Sequence, residues 1–362
     1  MRSDSTKNQP TQVLLDKDVL RAFPKVELHR HLEGTFYLPA LFAMCRRNKI
    51  DLPTDFDEFK KAVQFPKDSD PDFLKFLSKF KNDWYRSLDD VHDIVYQSAK
   101  DFVNDGLFYI ELRFSPEHFA VHNGFDRKDV TKLIVEAGNQ AAAETGVRIT
   151  YLITFNRGKQ PQEEMLALYR MVRDLQLDGI VGMDLAGDEI NFPGSLFQKF
   201  FDVVQSDGAY KCTIHAGEVT PADQIWAAID QLHAGRIGHG TSAIQDPALQ
   251  EALRDRHIVL EQCITSNYQT GSWSDEENHP LGRLLRLGVP VSINSDDPSI
   301  QDTDLTDDYV KTVQYFNFGI DELIESNMNA IGGLFLRDES QREAIRRDYQ
   351  KAVNDFRTRF GV

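Results

Sequence analysis

The chain has 362 residues, of which 41% are hydrophobic and 27% are charged, a composition typical of a globular protein. Its formal net charge of -16 would repel a phosphate backbone, so we expect no nucleic-acid partner. No apolar run approaches the roughly 18 residues of a transmembrane helix, and the polar N-terminus lacks a signal-type core, so we expect a cytoplasmic protein without a membrane partner. Three widely separated cysteines, Cys45, Cys212 and Cys263, are expected to be reduced, buried thiols.

Eight apolar or alternating runs of strand length recur along the chain, with amphipathic helical patterns between most of them. The runs are KVELHRHL (25–32), FYIELRFS (108–115), RITYLITF (148–155), IVGMDLAG (180–187), KCTIHAGE (211–218), GRIGHGT (235–241), IVLEQCIT (258–265) and PVSINSDD (290–297). Alternating strands and helices predict parallel pairing, because a parallel connection needs a crossover. Eight such units predict an α/β fold, the closed (β/α)8 TIM barrel.

The remaining segments define the predicted domain organisation. Residues 1–15 are predicted to be a flexible N-terminal arm, and residues 16–362 a single barrel domain. The interval 36–107 is too long for a simple crossover and predicts extra helices inserted after strand 1. The closing segment 339–360 has the pattern of one exposed amphipathic helix.

Aromatic residues recur at helical spacing within the insertion, over residues 70–85. They are Phe73, Phe76, Phe80 and Trp84. This spacing predicts a helix, which either packs on the barrel or forms an apolar lid over its mouth.

Histidine and carboxylate residues lie at the C-terminal ends of the predicted strands. His29 and His31 end the first strand, His215 ends the fifth and Asp296 ends the eighth. Residues two apart in a strand face the same side, so His29 and His31 both point into the barrel. Buried imidazoles need a partner for their polar nitrogens, and a cation provides one. Three nitrogens and one oxygen fit zinc best, although iron, cobalt and manganese also accept these ligands.

Three further polar residues accompany the predicted metal ligands. A catalytic metal lowers the pKa of a water molecule, and the reaction then needs groups that move protons. Glu218, three residues beyond His215, is the predicted proton donor. Asp297 follows Asp296 directly, so its side chain diverges from the metal and can hold the water or the substrate. His239 could remove a proton from the water, stabilise the resulting hydroxide, or only support the neighbouring ligands.

Five segments together resemble the adenosine deaminase family of metal-dependent hydrolases, in order and in spacing, from about residue 24 to about residue 350. They are HRHLEG, MDLAGDE, HAGE, RIGHG and SINSDDP. The resemblance implies zinc-dependent hydrolytic deamination of adenosine and 2'-deoxyadenosine to inosine and ammonia, as in purine salvage. It also implies that zinc is held by the four residues named above, His29, His31, His215 and Asp296.

The resemblance further implies a role for each remaining site residue. Glu218 would protonate N1 of the purine while hydroxide adds at C6. His239 and Asp297 would orient and deprotonate the attacking water, with Asp297 also near N7. The backbone amide of Gly187 would meet N3, where glycine permits a close approach. Glu33 would contact the substrate sugar.

Glu33 also leaves undecided whether the substrate is adenosine or adenine. Many adenosine deaminases have aspartate here, whereas the same HLEG form resembles adenine deaminases, which bind no sugar. The segments LRFSPEHFA (112–120) and YQTGSW look more like the nucleoside enzymes, so we expect adenosine. Adenine or a modified nucleoside such as a thioether derivative remains an alternative, and the oligomeric state is open.

Two other classes of protein fit the sequence less well. A non-enzymatic binding protein on this fold would need no catalytic groups, yet Glu218, His239 and Asp297 are all present. The cytidine and nucleic-acid deaminases use HxE and PCxxC motifs, and this sequence has neither.

Overall fold

The protein, analysed as a computed structural model that describes residues 12–66 and 69–362, contains one sheet of eight parallel strands in the order β1 to β8. The strands are β1 (Lys25–His31), β2 (Leu107–Phe114), β3 (Arg148–Arg157), β4 (Ile180–Gly187), β5 (Lys211–Ala216), β6 (Arg236–His239), β7 (Val259–Gln262) and β8 (Val291–Ile293). Most strand residues are buried, as expected when helices cover the outer face of a parallel sheet. The predicted (β/α)8 barrel is confirmed.

The barrel closes between β1 and the segment that follows β8. Arg30 and Asp296 form a parallel bridge. The backbone N–H of Asp296 donates to the carbonyl of His29 at 3.0 Å, and the N–H of His31 donates to the carbonyl of Asp296 at 2.9 Å. Two predicted metal-binding segments therefore meet through main-chain hydrogen bonds.

The α-helices are α1 (Lys17–Ala22), α2 (Leu38–Arg47), α3 (Phe56–Val63), α4 (Phe73–Leu77), α5 (Leu88–Asp101), α6 (Pro116–Ala120), α7 (Arg127–Thr145), α8 (Gln162–Leu175), α9 (Gln198–Asp207), α10 (Asp223–Asp230), α11 (Pro247–Asp255), α12 (Ile264–Gln269), α13 (Leu281–Arg286), α14 (Pro298–Gln301), α15 (Leu305–Phe316), α16 (Ile320–Gly332) and α17 (Glu339–Phe360). Local sequence sets many of their ends. Asp126, for example, caps α7 by accepting from the N–H groups of Lys128 and Asp129, and Gly146 ends it with a φ of 79°.

Helices α2 to α5 lie between β1 and β2, which confirms the insertion after strand 1. The prediction of one helix over residues 70–85 is wrong, because the helix there spans only Phe73–Leu77. Asp72 caps its start through the N–H of Lys75, and the Ser78 hydroxyl donates to the Lys75 carbonyl at its end. The Asp72 cap fixes where the helix begins, and the Ser78 bond competes with helix continuation.

The two ends of the chain pack differently. Gln12–Leu15 form a short 3-10 helix in which Leu14 is fully buried, whereas residues 1–11 of the predicted arm lie outside the described residues. Helix α17 spans the predicted range and buries one face through Ile345, Tyr349, Val353 and Phe356. The three cysteines are free and buried, as predicted. Among the helices of residues 12–66 and 69–362, none has the length and apolar character needed to cross a bilayer.

Candidate active site

A cavity of about 260 Å³ opens where the strands end, and the predicted site residues converge on it. Those that line it are His31, Glu33, Gly187, His215, Glu218, His239, Asp296 and Asp297. His29 lies directly beside them and is fully buried. The structure therefore brings together, at one end of the barrel, every residue that the sequence predicted for the site.

Short distances link the four predicted metal ligands one to the next, from His29 through Asp296 and His31 to His215. His29 Nε2 lies 3.1 Å from Oδ1 of Asp296, and His31 Nε2 lies 3.5 Å from the same oxygen. His31 Nε2 and His215 Nε2 are 3.3 Å apart. Four side chains from β1, β5 and the end of β8 thus direct nitrogen and oxygen atoms at one small volume.

The protonation of these rings fits a cation. Nδ1 of His29 and Nδ1 of His215 each face a carboxylate, at 2.8 and 3.0 Å, so each Nδ1 carries a proton and each Nε2 faces the cavity. Burial opposes protonation of His29, but Asp296 and Glu261 raise its pKa, so Nε2 of His29 binds a second proton that a cation would displace. Within the described part of the chain, His29 Nε2 and Asp296 Oδ1 are buried without a hydrogen-bond partner. Electron-pair donors that face one another in this way are arranged as ligands of a positive ion.

The two carboxylates behind the histidines were not identified from the sequence. Glu261 accepts from His29, and Asp184 accepts from His215. Arg113 bridges them, with Nη2 at 2.7 Å from Glu261 and Nη1 at 3.2 Å from Asp184. All three are completely buried. The signal in the sequence was an acidic residue inside an otherwise apolar strand, a costly placement that needs a buried partner.

Glu218 and His239 occupy another wall of the cavity. Burial, reinforced by the charges of Glu189 and Asp296, raises the pKa of Glu218 well above its usual range, which favours the protonated carboxyl group. His239 Nε2 lies 3.6 Å from Oε2 of Glu218. Burial and the neighbouring His29 lower the pKa of His239 well below its usual range, so the ring is neutral. A proton donor and a neutral imidazole therefore face the same space.

The pKa values of Asp296 and Asp297 are shifted in opposite directions although the two residues are adjacent. Burial opposes ionisation of both, but contact with His29 lowers the pKa of Asp296 well below its usual range. Burial and the charge of Asp296 raise the pKa of Asp297 well above its usual range. A cation bound nearby would favour the ionised form of Asp297 as well. Gly34 makes room for this group, since a Cβ at Gly34 would lie 1.8 Å from Oδ1 of Asp297.

The backbone at the site adopts left-handed conformations that non-glycine residues rarely adopt. His239 has a φ of 57° and Asp296 a φ of 64°. Such conformations cost on the order of 1–3 kcal/mol each and concentrate at functional sites. Gly187 ends β4 with a φ of 98°, which only glycine adopts easily.

The outer part of the cavity contains Glu33 and an apolar wall. Oε1 of Glu33 accepts from the N–H of Ser115 at 2.6 Å, while Oε2 has no hydrogen-bond partner in residues 12–66 and 69–362. Burial raises the pKa of Glu33 to about 7. The apolar wall comes from the insertion and comprises Phe73, Phe76, Leu77 and Phe80. Of the two alternatives for this segment, packing on the barrel or covering its mouth, the structure shows that its apolar side chains line the cavity.

Comparison with known proteins agrees with this geometry. The family model described as adenosine deaminase matches residues 24–351. An adenosine deaminase from Klebsiella pneumoniae is 32% identical over 333 residues, which are 90% of this chain and 98% of that protein. An adenine deaminase from Arthrobacter aurescens has the same fold, with a TM-score of 0.83 at 24% identity over 92% of this chain and 100% of that one. An amidohydrolase from Burkholderia ambifaria, solved with bound Zn, gives a TM-score of 0.87 at 23% identity over 99% and 97% of the two chains. The chain described here belongs to the adenosine deaminase family of metal-dependent enzymes.

Proposed function

We propose that this enzyme uses zinc to deaminate adenosine and 2'-deoxyadenosine hydrolytically, giving inosine and ammonia. One observation carries the proposal. The imidazoles of His31 and His215 and the carboxylate of Asp296 line one cavity with Glu218, whose raised pKa favours a protonated carboxyl group, and His29 lies directly beside them. This arrangement combines a cation site with a proton donor, the two elements that hydrolysis of an amino-purine requires.

His29, His31, His215 and Asp296 would hold the zinc ion. When bound there, zinc supplies Lewis acidity that lowers the pKa of a water molecule toward neutrality. Glu261 and Asp184 contact the Nδ1 atoms of His29 and His215, on the side of each ring that faces away from the ion. These contacts support the proposal, because they keep the Nε2 lone pairs directed at the ion.

The remaining residues would position the purine and move its protons. Glu218 would donate its proton to N1, so that C6 becomes electrophilic and the amino group can leave as ammonia. Asp297 and His239 would orient the attacking water and accept its proton, and Asp297 would also contact N7. The amide of Gly187 would donate to N3, since its backbone lines the cavity.

The substrate is proposed as a free nucleoside. Oε2 of Glu33 is available to a sugar hydroxyl, and relatives that are 32 to 33% identical to this chain are named adenosine deaminases. Adenine is the second candidate because Glu33 takes the place of the shorter aspartate, and a modified nucleoside such as a 5'-thioether is the third.

We also propose that the enzyme acts in the cytoplasm on small purines rather than on nucleic acid. The net charge of -16 and the three unpaired, buried thiols support this assignment.

Specificity constants decide among the substrates. Purified, zinc-replete enzyme would be assayed with adenosine, 2'-deoxyadenosine, adenine and the thioether nucleoside, by ammonia release and by the loss of amino-purine absorbance. We expect the largest kcat/KM for adenosine. Turnover of adenine with none of adenosine would overturn the nucleoside assignment, and no turnover of any of the four would overturn the deaminase itself.

A further inference from the structure

A line of buried side chains runs from His239 away from the cavity. Nδ2 of Asn267 lies 3.0 Å from Nδ1 of His239. Oδ1 of Asn267 lies 3.0 Å from Nε2 of His279, and Nδ1 of His279 lies 3.3 Å from the backbone nitrogen of Leu281. The three side chains are at most 2% exposed, so water does not compete for these hydrogen bonds.

The backbone N–H of Leu281, at the end of this line, determines which ring nitrogen of His279 carries the proton. The N–H of Leu281 can only donate, so Nδ1 of His279 must accept. Burial, together with the charges of Lys311 and Arg283, lowers the pKa of His279 to about 3, so the ring is neutral at physiological pH. A neutral imidazole has one N–H group, and here it is at Nε2.

The orientation of Asn267 follows from the proton on His279. Nε2–H of His279 donates to Oδ1 of Asn267, which leaves the amide NH2 facing His239. The reversed amide would require Nε2 of His279 to accept, and its Nδ1–H would then oppose the N–H of Leu281. Two donors facing each other in a buried site is unfavourable.

The backbone of Asn267 is held in place as well. Its carbonyl accepts from the N–H of Trp273 at 2.8 Å and from the hydroxyl of Ser272 at 3.0 Å. Its N–H donates to the carbonyl of Cys263 at 2.9 Å. The amide is therefore presented to His239 in one orientation.

We propose that Asn267 and His279 are positioning residues that fix neutral His239 with its proton on Nε2, so that His239 donates a hydrogen bond into the cavity. Nε2 lies 3.6 Å from Oε2 of Glu218 and 3.9 Å from Oδ2 of Asp296, too far for a hydrogen bond to either, and it points at the space between them. An oxygen bound in this space receives the hydrogen bond. Resting on the proposed function, this assigns acceptance of the water's proton to Asp297 instead of His239.

The tautomer can be read directly by NMR of the zinc-loaded enzyme labelled with 15N-histidine, without substrate. Two-bond 1H–15N correlations distinguish the two neutral tautomers, and the His239 signals are assigned by their loss in His239→Gln. We expect Nε2–H in the wild type. A protonated Nδ1 with a bare Nε2 would overturn the proposal.

Asn267→Asp tests the role of the Asn267 NH2 group alone, because aspartate has the same size and still accepts from His279. It offers His239 an acceptor in place of a donor, so the proton should move to Nδ1 and kcat should fall about 100-fold with little change in KM. The control Asn139→Asp makes the same change on α7, where Asn139 accepts from the Tyr151 hydroxyl. It should leave both the tautomer and kcat unchanged.

His279→Gln provides a second test in which Asn267 itself is unchanged. The glutamine amide can donate to Oδ1 of Asn267, so the tautomer and most of kcat should be retained, whereas His279→Ala should lose both. Unchanged kcat and an unchanged Nε2–H in Asn267→Asp would overturn the positioning role. Because the tautomer is measured without substrate, a failure to turn over adenosine would count against the proposed function and leave this result standing.

Discussion

Nδ1 of His29 lies 2.8 Å from Oε2 of Glu261, and both side chains are completely buried. Glu261→Gln removes the charge that holds the ring proton on Nδ1, so we expect metal affinity to fall about 10- to 100-fold. Competition with a chelator measures the metal affinity. Glu111→Gln is a matched control, since Glu111 is equally buried and also pairs with Arg236, yet it contacts no histidine. Equal losses in both variants would contradict a specific effect on His29.

Replacement of His215 should remove the metal. His215→Ala deletes one lone pair of the proposed ligand set, so metal per chain should fall well below one by elemental analysis, and the thermal midpoint should lose its dependence on added zinc. His233→Ala is the control, because His233 is half-exposed and pairs with Asp202. Unchanged metal content in His215→Ala would show that His215 is not a ligand.

Glu218→Gln separates proton transfer from metal binding. Glutamine has nearly the same shape but cannot protonate N1, so kcat should fall about 10²- to 10⁴-fold at normal metal content. Glu144→Gln changes a carboxylate on α7 that pairs with Lys100 at 3.0 Å, away from the cavity, and should retain activity within a few-fold. Near-wild-type kcat in Glu218→Gln would remove Glu218 from its proposed role.

Glu33 should distinguish the sugar-bearing substrates from the free base. Glu33→Gln keeps an acceptor for the N–H of Ser115 but cannot take up charge, so kcat/KM for adenosine should fall about tenfold, the effect of one weakened hydrogen bond. The value for adenine should not change. The ratio of the two specificity constants is the measurement, and an equal fall for both substrates would place Glu33 away from the sugar.

Asp308 should make stability depend on pH. It accepts from the N–H and hydroxyl of Thr265, and burial raises its pKa to about 7 although Lys311 opposes the shift. Its Oδ2 has no partner among the residues described, as suits a protonated carboxyl group. Between about pH 4 and pH 7 the folded state binds this proton and the unfolded state does not. The free energy of unfolding should therefore fall as pH rises, by at most about 1.4 kcal/mol per pH unit.

Denaturant titrations at several pH values, with wild type and Asp308→Asn, test this slope. Asparagine keeps the acceptor for Thr265 and cannot titrate, so its pH dependence over the same window should be smaller. Identical slopes would show that Asp308 is ionised in the folded protein. Glu276, which pairs with Lys311 at 2.6 Å, is unchanged in both proteins.

Strand order and the main site residues were predictable because both follow from local pattern. In a parallel barrel all strands end at one rim, so His29, His215 and Asp296 had to meet there once their runs were recognised as strands. Glu261 and Asp184 were not predictable in the same way, because their role depends on which histidine faces each of them across the barrel.

In the insertion after β1, the sequence predicted the position of the side chains but not the length of the helix. Aromatic spacing over residues 70–85 correctly placed apolar side chains on the cavity, but the helix stops at Leu77. The hydroxyl of Ser78 bonds to the carbonyl of Lys75, a contact whose strength relative to helix extension cannot be judged from spacing alone. The hydrogen bond between Asn267 and His279 likewise could not be predicted from the sequence, because it joins α12 to a residue that precedes α13.

The seam between Arg30 and Asp296 has a consequence for biosynthesis. Because the proposed metal ligands lie on both sides of that seam, a ribosome must synthesise all eight strands before the last ligand, Asp296, emerges. A nascent chain that ends before Asp296 would present its histidines without their carboxylate, so capture of zinc by all four ligands would require that the barrel has closed.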